Sequence, residues 1–554
     1  MTTRARAYRT THMPPGELTP VLPGFHAFTE TRARTGDGSP ELLARAVHLP
    51  IATTRGALSS FSESHPDREA VRVCAGTSCM LAGGAEVSRD LSRQHKCESV
   101  YCLGYCDRSP AAMSPGGRVV TGYGPDRFSD LVADRNLPHP APPSIRCIAR
   151  HAIVTERLCG PLTVDPPVPD YSGLSAALEL EPEKVIDAVV ESGVRGRGGA
   201  AYPTGNKWRL AARAPGVPKF VVANGDEGDP GSFIDRELME RDPHAILEGM
   251  AICAHAVGAS RGVVFIRSEY PVAAAVMSEA IADATSRGIL GDQALGRGRP
   301  FHVEVVRGMG SYVCGEETAL LAAIEGQRGE VWPRPPYPVE AGLFGKPTVV
   351  DNVETLVNIP WVISHGPAAY RAMGTPESGG TKAICLNQGF ARPGIIEVEF
   401  GISLRELIEK HAGGGAGGRE LEAVLIGGPM GSIVLPDKWD TPVCFLGMAR
   451  RGINLGHAGL VAIPKPADWA AILRHLLTFM RDESCGKCVP CRLGSARARE
   501  MAGQGLTSAN LPQFQRILAL MKDASLCAFG RETPGPIRTI LENFGRQILA
   551  EVKS

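Results

Sequence analysis

The stretch KFVVANGDEGDPGSF, residues 219–233, begins as an apolar, β-branched run and ends in glycines and carboxylates. Two similar runs follow, GVVFIRSEY from Gly262 and HVEVVRG from His302, and helical segments such as PVAAAVMSEAIADA stand between them. Strands that alternate with helices are typical of an α/β fold with a mostly parallel sheet. Ligands of such sheets bind beyond the carboxyl ends of the strands, so the sequence predicts a site that includes residues 224–233.

The chain of 554 residues is longer than a single hydrophobic core usually organises, so we expect an α/β protein of several domains. Proline patches and changes of pattern mark the boundaries. The predicted segments are a flexible tail (1–40), a cysteine-bearing domain (41–136), a proline-rich linker (137–176), the α/β domain (177–379), a small α+β module (380–462) and a helical domain (463–554).

The composition gives no support to several classes of function. The formal net charge is zero, with 59 basic and 59 acidic residues, so nothing favours nucleic acid or an anionic membrane as a partner. No apolar run approaches the roughly 18 residues that span a bilayer. The arginines near the start precede no apolar segment of the kind found in secretory signals, and we expect a cytoplasmic protein.

Fifteen cysteines are unevenly distributed, and two groups stand out. In ESCGKCVPCR, three of them follow the pattern C-x2-C-x2-C, and a fourth comes later in ASLCAFG; these are Cys485, Cys488, Cys491 and Cys527. Four thiolates without histidine suit zinc or an iron–sulfur cluster. Three close thiols with a distant fourth favour a [4Fe–4S] cluster over the paired ligands of structural zinc.

The other group contains two separated pairs, Cys74 with Cys79 and Cys102 with Cys106. One pair for each iron is the pattern of a [2Fe–2S] cluster. Cys97 remains a rival ligand because it also stands five positions before Cys102. The alternative is a degenerate domain in which these cysteines are core thiols.

The segment ESGVRGRGGAAYPTGNKWRL, residues 191–210, is rich in glycine. Its predicted preceding element is a helix, so it is not the strand-to-helix turn of a Rossmann fingerprint. Glycines beside Arg197, Lys207 and Trp208 nevertheless indicate a loop whose backbone approaches a phosphate; a flexible loop is the alternative. The acidic residues after the strands suit ribose hydroxyls and carboxamides, and solvated acidic faces are the alternative there.

These motifs occur together in one family. From Glu191 onwards the chain resembles the NADH-oxidising flavoprotein (51 kDa-type) subunit of respiratory complex I and its soluble diaphorase relatives, through GRGGAAYPTGNKW, NGDEGDPGSF, GSYVCGEETAL, PTVVDNVETL and SCGKCVPCR…LCAFG. Residues from about 40 to about 130 resemble the neighbouring thioredoxin-like [2Fe–2S] subunit, through RVCAGTSCMLAGG and YCLGYC. The resemblance implies a thioredoxin-like domain, a Rossmann-like FMN and NAD(H) domain, a ubiquitin-like (SLBB-type) module and a helical [4Fe–4S] domain, in that order.

The resemblance also implies the residues of the nucleotide site. Those expected to contact FMN are Gly196, Arg197, Gly198, Gly199, Lys207, Asn224, Asp226, Tyr312, Gly315, Glu316, Asp351 and Asn352. Those expected beside NADH are Glu227, Asp229, Glu317 and Arg334, with Tyr202 and Tyr337 placed to stack on adenine. Asp351 stands where asparagine is frequent and Ala201 where glycine is frequent, so the shape and potential of the flavin site are expected to differ from those of relatives.

The implied activity is hydride exchange between NAD(H) and FMN, followed by single-electron exchange with the clusters. No protein acid or base is expected, and NAD is expected over NADP. Fusion to the [2Fe–2S] domain resembles soluble diaphorases more than complex I, and among these we expect the β subunit of an NAD-dependent formate dehydrogenase, in a hetero-oligomer with a molybdenum or tungsten α subunit. The alternatives are the diaphorase subunit of an NAD-reducing nickel–iron hydrogenase, a complex I subunit, and a non-catalytic iron–sulfur scaffold.

Overall fold

The computed structural model describes residues 70–122, 140–159, 170–294 and 299–549, together with positions 41, 51 and 128. The predicted tail over residues 1–40 lies outside the described residues. Within the described ranges, no helix combines the length and the apolar character needed to cross a membrane.

Residues 71–121 form a mixed sheet of four strands in the order β2-β1-β3-β4. Its elements are β1 (Val71–Cys74), α1 (Thr77–Leu81), α2 (Gly84–Leu91), β2 (Cys97–Val100), β3 (Ala111–Met113) and β4 (Val119–Thr121). Strands β1 and β2 are parallel, and the other two pairings are antiparallel. Helix α2 is amphipathic, and Val87 and Leu91 on its buried face pack in one cluster with Val71 and Val73 of β1.

The segment predicted as a linker, residues 137–176, contributes to a sheet where it is described. Strand β5 (Ile145–Cys147) pairs in parallel with the strand at residues 394–399. Beyond it, the backbone N–H groups of Ile153, Val154 and Thr155 donate to the buried carboxylate of Glu397 at 2.9–3.0 Å. This part of the segment predicted as a linker is therefore the edge strand of a sheet, because a partner far along the chain completes a three-residue strand.

Residues 172–371 form the predicted α/β unit around a parallel sheet in the order β8-β7-β6-β9. The strands are β6 (Phe220–Gly225), β7 (Arg261–Ile266), β8 (His302–Arg307) and β9 (Thr348–Asn352). The helices are α3 (Ser172–Leu178), α4 (Pro182–Ser192), α5 (Thr204–Arg213), α6 (Ile234–Arg241), α7 (Pro243–Val257), α8 (Pro271–Ser286), α9 (Glu317–Ile324), α10 (Pro338–Ala341), α11 (Val353–His365) and α12 (Pro367–Arg371).

Alternate residues of β6 enter two different cores. Val221 and Ala223 belong to the large cluster that contains α7, whereas Val222 packs with Leu320 and Leu321 of α9. Helices thus cover both faces of the sheet, as a parallel sheet requires. Both faces of β6 are therefore apolar, and its polar side chain lies at the carboxyl end of the strand.

Residues 374–464 form an α+β unit, the α+β module, and together with β5 they build a six-stranded sheet in the order β15-β14-β16-β12-β13-β5. Its elements are β10 (Gly374–Thr375), β11 (Ser378–Gly379), β12 (Thr381–Leu386), β13 (Gly394–Glu399), β14 (Leu421–Ile426), β15 (Ser432–Val434), α13 (Phe445–Arg450) and β16 (Gly459–Pro464). The loop before β16 carries His457, which reaches the α/β unit.

The remaining described residues are helical, as predicted. The helices are α14 (Trp469–Asp482), α15 (Val489–Gln504), α16 (Leu511–Ala524), α17 (Ala528–Glu532) and α18 (Pro534–Ile548). Helix α14 also contacts the first sheet unit: its His475 lies 3.2 Å from the Thr77 hydroxyl, and its Phe479 ring lies 5.1 Å from the Tyr101 ring. Phe479 therefore contacts Tyr101, the neighbour of Cys102 in the chain, and packs in one cluster with Cys491 and Cys527.

Candidate functional site

The predicted polar residues gather at one edge of the parallel sheet. Asn224, near the end of β6, donates from Nδ2 to the carbonyl of Gly315 at 2.9 Å, in the turn that follows β8. Asn352 ends β9, and its Oδ1 accepts from the Thr355 N–H at 3.3 Å and caps α11. Residues from three separate stretches of the sequence therefore meet at the same strand ends.

A tight loop between α4 and α5 carries the predicted glycines. A bridge between Arg195 and Pro203 closes it. A β-carbon at Gly198 would lie 3.0 Å from the β-carbon of Asn352, and Gly199 has a φ of +110°, which glycine adopts without strain. The backbone can thus lie directly against the strand end, as a loop that approaches a phosphate requires. A helix precedes this loop, as predicted.

The structure corrects the prediction for the Arg197 side chain. Its buried guanidinium donates to the Tyr370 hydroxyl at 2.7 Å and to the Gly379 carbonyl at 3.2 Å, and it lies 4.8 Å from the centre of the Phe400 ring. A guanidinium held in this way points into the core and cannot neutralise a phosphate at the loop. Arg197 anchors the loop to the α+β module instead.

Lys207 and Trp208, on α5, share one carboxylate. Lys207 Nζ donates to Asp351 Oδ1 at 2.9 Å, and Trp208 Nε1 donates to Asp351 Oδ2 at 2.8 Å. Burial lowers the pKa of Lys207, but the charges of Asp351 and Glu317 and the hydrogen bond to Asp351 together outweigh it, so the pKa is raised. Asp351 therefore neutralises the charge of Lys207, on the helix that follows the glycine-rich loop.

Three carboxylates follow β6: Glu227 is buried, and Asp226 and Asp229 are half-buried. Burial raises the pKa of Asp226 to about 8, and its Oδ2 has no hydrogen-bond partner among the described residues. Burial also raises the pKa of Glu227, to about 7, and that of Asp229, which accepts from the Tyr312 hydroxyl. Buried polar atoms are nearly always paired, so the unpaired oxygen of Asp226 fits a donor on a bound ligand.

The two glutamates after β8 have different surroundings. Glu316 caps α9 and accepts from the N–H groups of Thr318 and Ala319 at 2.8 and 3.1 Å. Glu317 accepts from Arg334 Nη1 at 2.5 Å, and Arg334 Nη2 lies 3.6 Å from Glu316. Arg334 thus offsets part of the negative charge of this pair.

Large apolar side chains are exposed near the glycine-rich loop. Tyr202, whose carbonyl accepts from the Gly196 N–H at 2.9 Å, is 47% exposed. Tyr337 is 51% exposed and caps α10, which packs against α5. Leu210, on α5 and about one helical turn beyond Lys207, is also 51% exposed and was not singled out in the sequence. The exposed rings of Tyr202 and Tyr337 suit a planar base.

The second group of thiols lies at the start of two helices. Cys488 and Cys527 are the N-cap residues of α15 and α17, Cys491 lies in the first turn of α15, and Cys485 precedes them. All four belong to one cluster with Phe479 and Phe529. A β-carbon at Gly530 would lie 3.0 Å from that of Cys491, so this glycine allows the helices to approach. The described fold therefore brings the distant Cys527 to the other three.

The first group is buried more deeply. Cys102 Sγ lies 3.4 Å from Cys106 Sγ and accepts from the Gly104 N–H at 3.3 Å. The hydrogen bond with Cys106 lowers the pKa of Cys102, but the hydrogen bond with Cys74 and burial outweigh it and raise the pKa to about 12. Cys74 is in turn hydrogen-bonded to Cys79, so the four predicted thiols are in contact.

Cys97, the rival ligand, lies apart from these four. It packs on the other face of the sheet, beside the core that contains Val87, and its Sγ donates to the His95 carbonyl at 3.7 Å. The geometry thus favours the pairs Cys74 with Cys79 and Cys102 with Cys106.

An aromatic cluster joins the strand-end site to both groups of thiols. The Tyr312 ring lies 5.0 Å from the Phe479 ring and 5.6 Å from the Phe529 ring, and its hydroxyl reaches Asp229. Tyr101, which precedes Cys102 in the chain, contacts Phe479 from the other side. The glycine cradle, the unpaired carboxylate oxygen and two sets of four thiols together fit a nucleotide cofactor and two iron–sulfur clusters.

Comparisons with known proteins agree with this site. Residues 189–361 match the family profile of the Nuo51 FMN-binding domain, and residues 471–551 match that of the NADH-ubiquinone oxidoreductase-F iron-sulfur binding region. The chain is 41% identical over 387 residues to the NADP-reducing hydrogenase subunit HndC of Solidesulfovibrio fructosivorans, an alignment that covers 69% of this chain and 79% of the relative. It is 35% identical over 377 residues to the mitochondrial NADH dehydrogenase (ubiquinone) flavoprotein 1 of Dictyostelium discoideum, with 67% and 79% covered.

Two further matches extend over more of the chain. The NAD-reducing hydrogenase HoxS subunit alpha of Cupriavidus necator is 35% identical over 459 residues, which is 80% of this chain and 74% of the relative. The crystal structure of an NAD+-reducing [NiFe]-hydrogenase in the H2-reduced state matches with a TM-score of 0.84 and 28% identity, over 97% of this chain and 94% of that chain.

The fold and the site define a flavin- and iron–sulfur-binding oxidoreductase. The chain belongs to the Nuo51 family of NADH-oxidising flavoprotein subunits, together with the Dictyostelium flavoprotein. It is an NADH-acting flavin enzyme, with FMN and a [4Fe–4S] cluster as cofactors.

Proposed function

We propose that this chain is the diaphorase subunit of an NAD-reducing hydrogenase-type complex, in which a partner subunit carries the hydrogen-activating site. The observation that supports this most is the likeness to the hydrogenase structure over 97% of the chain, which includes the first group of thiols. None of the relatives named above is a formate dehydrogenase, so the expected formate dehydrogenase β subunit is the less favoured assignment. The hydrogenase alternative fits these relatives better.

FMN, when bound, supplies a carrier that accepts two electrons as hydride and releases them singly. The chain's own residues would bind and orient the reactants. Gly198 and Gly199 would let backbone N–H groups face the phosphate, and the unpaired Oδ2 of Asp226 would accept from a donor on the cofactor. Glu227 and Asp229 lie at the strand end where a second nucleotide would enter, and carboxylates suit its hydroxyl and carboxamide donors.

The two groups of thiols differ in access to solvent, and this suggests different roles. Cys485 and Cys488 are half-buried, whereas Cys74, Cys79, Cys102 and Cys106 are each at most 3% exposed. A [4Fe–4S] cluster on the second group would supply single-electron exchange beside the surface that a partner can reach. A [2Fe–2S] cluster on the first group would be enclosed by this chain, and we infer that it is an internal store.

The proposal is tested by purifying the chain without oxygen and recording its visible spectrum before and after NADH, with the released flavin quantified. Bound FMN that NADH bleaches would support the diaphorase. A preparation with iron and sulfide but no FMN would favour the non-catalytic scaffold. Co-purification followed by NAD+ reduction with hydrogen or with formate then identifies the partner, and activity with formate alone would overturn the hydrogenase assignment.

A further inference from the structure

A buried histidine from the α+β module lies between two carboxylates of the nucleotide site. His457 Nε2 is 3.0 Å from Asp235 Oδ2, and its Nδ1 is 3.9 Å from Glu227 Oε1. The three side chains are at most 5% exposed. Asp235 lies in the first turn of α6, and Glu227 follows β6, so the module supplies a group that reaches across to the α/β unit.

The two carboxylates are also tied to opposite parts of the strand-end site. Asp235 Oδ2 accepts from Asn352 Nδ2 at 2.6 Å, which holds the amide at the end of β9. Glu227 accepts from the N–H groups of Asp235 and Arg236 at 3.1 Å and from the Tyr270 hydroxyl at 3.3 Å. A change in the charge of either carboxylate would therefore alter the hydrogen bonds both at Asn352 and at the strand end after β6.

We propose that His457 is a positioning residue of the nucleotide site, which as an imidazolium allows Asp235 and Glu227 to be ionised together and fixes the orientation of Asn352 and Glu227. Two buried carboxylates so close to each other repel, and each is costly without a cation. Protonated His457 supplies this positive charge, since one of its ring nitrogens faces Asp235 and the other faces Glu227. This inference rests on the proposed nucleotide site and assigns to that site a residue from a different sheet.

Two buried atoms of this group have no hydrogen-bond partner among the described residues, namely Asp235 Oδ1 and His457 Nδ1. The distance of 3.9 Å from Nδ1 to Glu227 exceeds a hydrogen bond by about 1 Å, which a small rotation of either side chain would close. The distance between His457 Nδ1 and Glu227 can therefore shorten to a hydrogen bond when a ligand fixes the position of Glu227. Glu227 already accepts backbone hydrogen bonds, which fits ionic pairing better than metal ligation.

The charged groups that face His457 support its protonated form. Burial lowers the pKa of His457, but the charge and the hydrogen bond of Asp235, together with the charge of Glu227, outweigh it and raise the pKa to about 9. Lys382, on β12, opposes this, and His457 in turn lowers the pKa of Asp229. The surrounding charge is thus predominantly negative.

The test uses the full-length protein with its cofactors and measures NAD+ affinity by calorimetry, with bound FMN quantified in each sample. His457→Gln keeps an N–H donor for Asp235 but removes the charge, and we expect NAD+ affinity to fall about tenfold while FMN is retained. The double variant His457→Gln/Asp235→Asn removes one charge of each sign and is expected to recover to within about threefold of the natural protein. His255→Gln, another buried histidine that bonds the Leu180 carbonyl, is the control.

If the two residues had only structural roles, their losses of NAD+ binding free energy would add. A double variant whose affinity falls by at least the product of the two single-variant factors would therefore overturn the proposal. Unchanged NAD+ affinity in His457→Gln would also overturn it. So would the finding that the natural protein holds one zinc ion per chain and that His457→Gln loses this ion. If His457→Gln does not fold, Asp235→Asn alone decides: the alkaline loss of NAD+ affinity should move to lower pH, and an unmoved profile would count against the proposal. Failure of NADH to bleach the natural protein would instead remove the proposed function itself.

Discussion

The ring of Tyr312 meets the ring of Phe479 nearly edge-on, with centroids 5.0 Å apart and planes at 77°. Tyr312 belongs to the strand-end site, where its hydroxyl donates to Asp229, and its N–H donates to Glu483 at 2.9 Å. Phe479 belongs to α14 and also meets Tyr101 at 88°. The nucleotide site and both groups of thiols are therefore packed around one aromatic cluster.

Shortening Phe479 should weaken this cluster. Phe479→Leu loses the edge contacts with both tyrosines, and we expect a loss in unfolding free energy about 0.5–1.5 kcal/mol larger than that of a matched change without them. Phe390→Leu, in the core of the α+β module, is the control. Denaturant titrations measure the difference, and equal losses in the two variants would contradict the expectation.

Removal of the Tyr312 hydroxyl should affect nucleotide affinity more than turnover. Burial raises the pKa of Asp229, and the hydrogen bond from Tyr312 lowers it, so Tyr312→Phe raises that pKa further. We expect KM for NADH to increase about three- to tenfold near neutral pH, with little change in kcat, because a carboxyl group that holds its proton more readily accepts hydrogen bonds from the substrate less strongly. Tyr171→Phe, which loses a hydroxyl contact with His244, is the control. An effect on kcat alone would contradict this reading.

Iron analysis separates the cysteines. Cys488→Ser and Cys102→Ser should each lower iron and acid-labile sulfide, since each removes one thiolate from a set of four. Cys97→Ser should leave both unchanged, because Cys97 packs on the opposite face of its sheet. A loss of iron in Cys97→Ser would reinstate it as a ligand.

Much of the fold could be predicted from local pattern. The runs at β6, β7 and β8 are long enough to be recognised as strands, and the spacing of Cys485, Cys488 and Cys491 is informative by itself. Strand β9 has only two consecutive valines, and β5 spans three residues between prolines, so neither was predicted. Such short strands form because partners far away in the sequence complete them.

The site was predicted less completely, for a similar reason. Sequence shows that Arg197 lies among glycines but not on which side of the loop its guanidinium lies, and Tyr370 and Phe400 decide this. His457 stands 222 residues from Asp235 and carries no motif. Only the packing of the α+β module against the α/β unit reveals that contact.

Replacement of Asp351 should make the electrostatic potential of the flavin site more positive and thereby change FMN affinity. In Asp351→Asn, the amide oxygen can still accept one of the two hydrogen bonds from Lys207 and Trp208, but the charge of Lys207 is no longer neutralised. We expect FMN affinity to increase about three- to tenfold, since a lysine cation attracts the phosphate more strongly without a paired carboxylate. Fluorescence titration of FMN into flavin-depleted protein measures this, with Asp187→Asn, a surface partner of Arg209, as the control. Weaker FMN binding in a folded variant would contradict the expectation.

Asp226 should make the protein less stable as the pH rises. Burial raises its pKa from 3.8 to about 8, so between these values the folded state holds a proton that the unfolded state has lost, and folding becomes less favourable with increasing pH. Asp226→Asn mimics the protonated form and removes this dependence. The unfolding free energy of the variant should equal that of the natural protein near pH 4 and exceed it by about 1–3 kcal/mol near pH 8. Its affinity for FMN should also change. Denaturant titrations of flavin-depleted protein at both pH values check the sign, and a variant that is less stable at the higher pH would show that Asp226 is ionised and stabilising in the folded state.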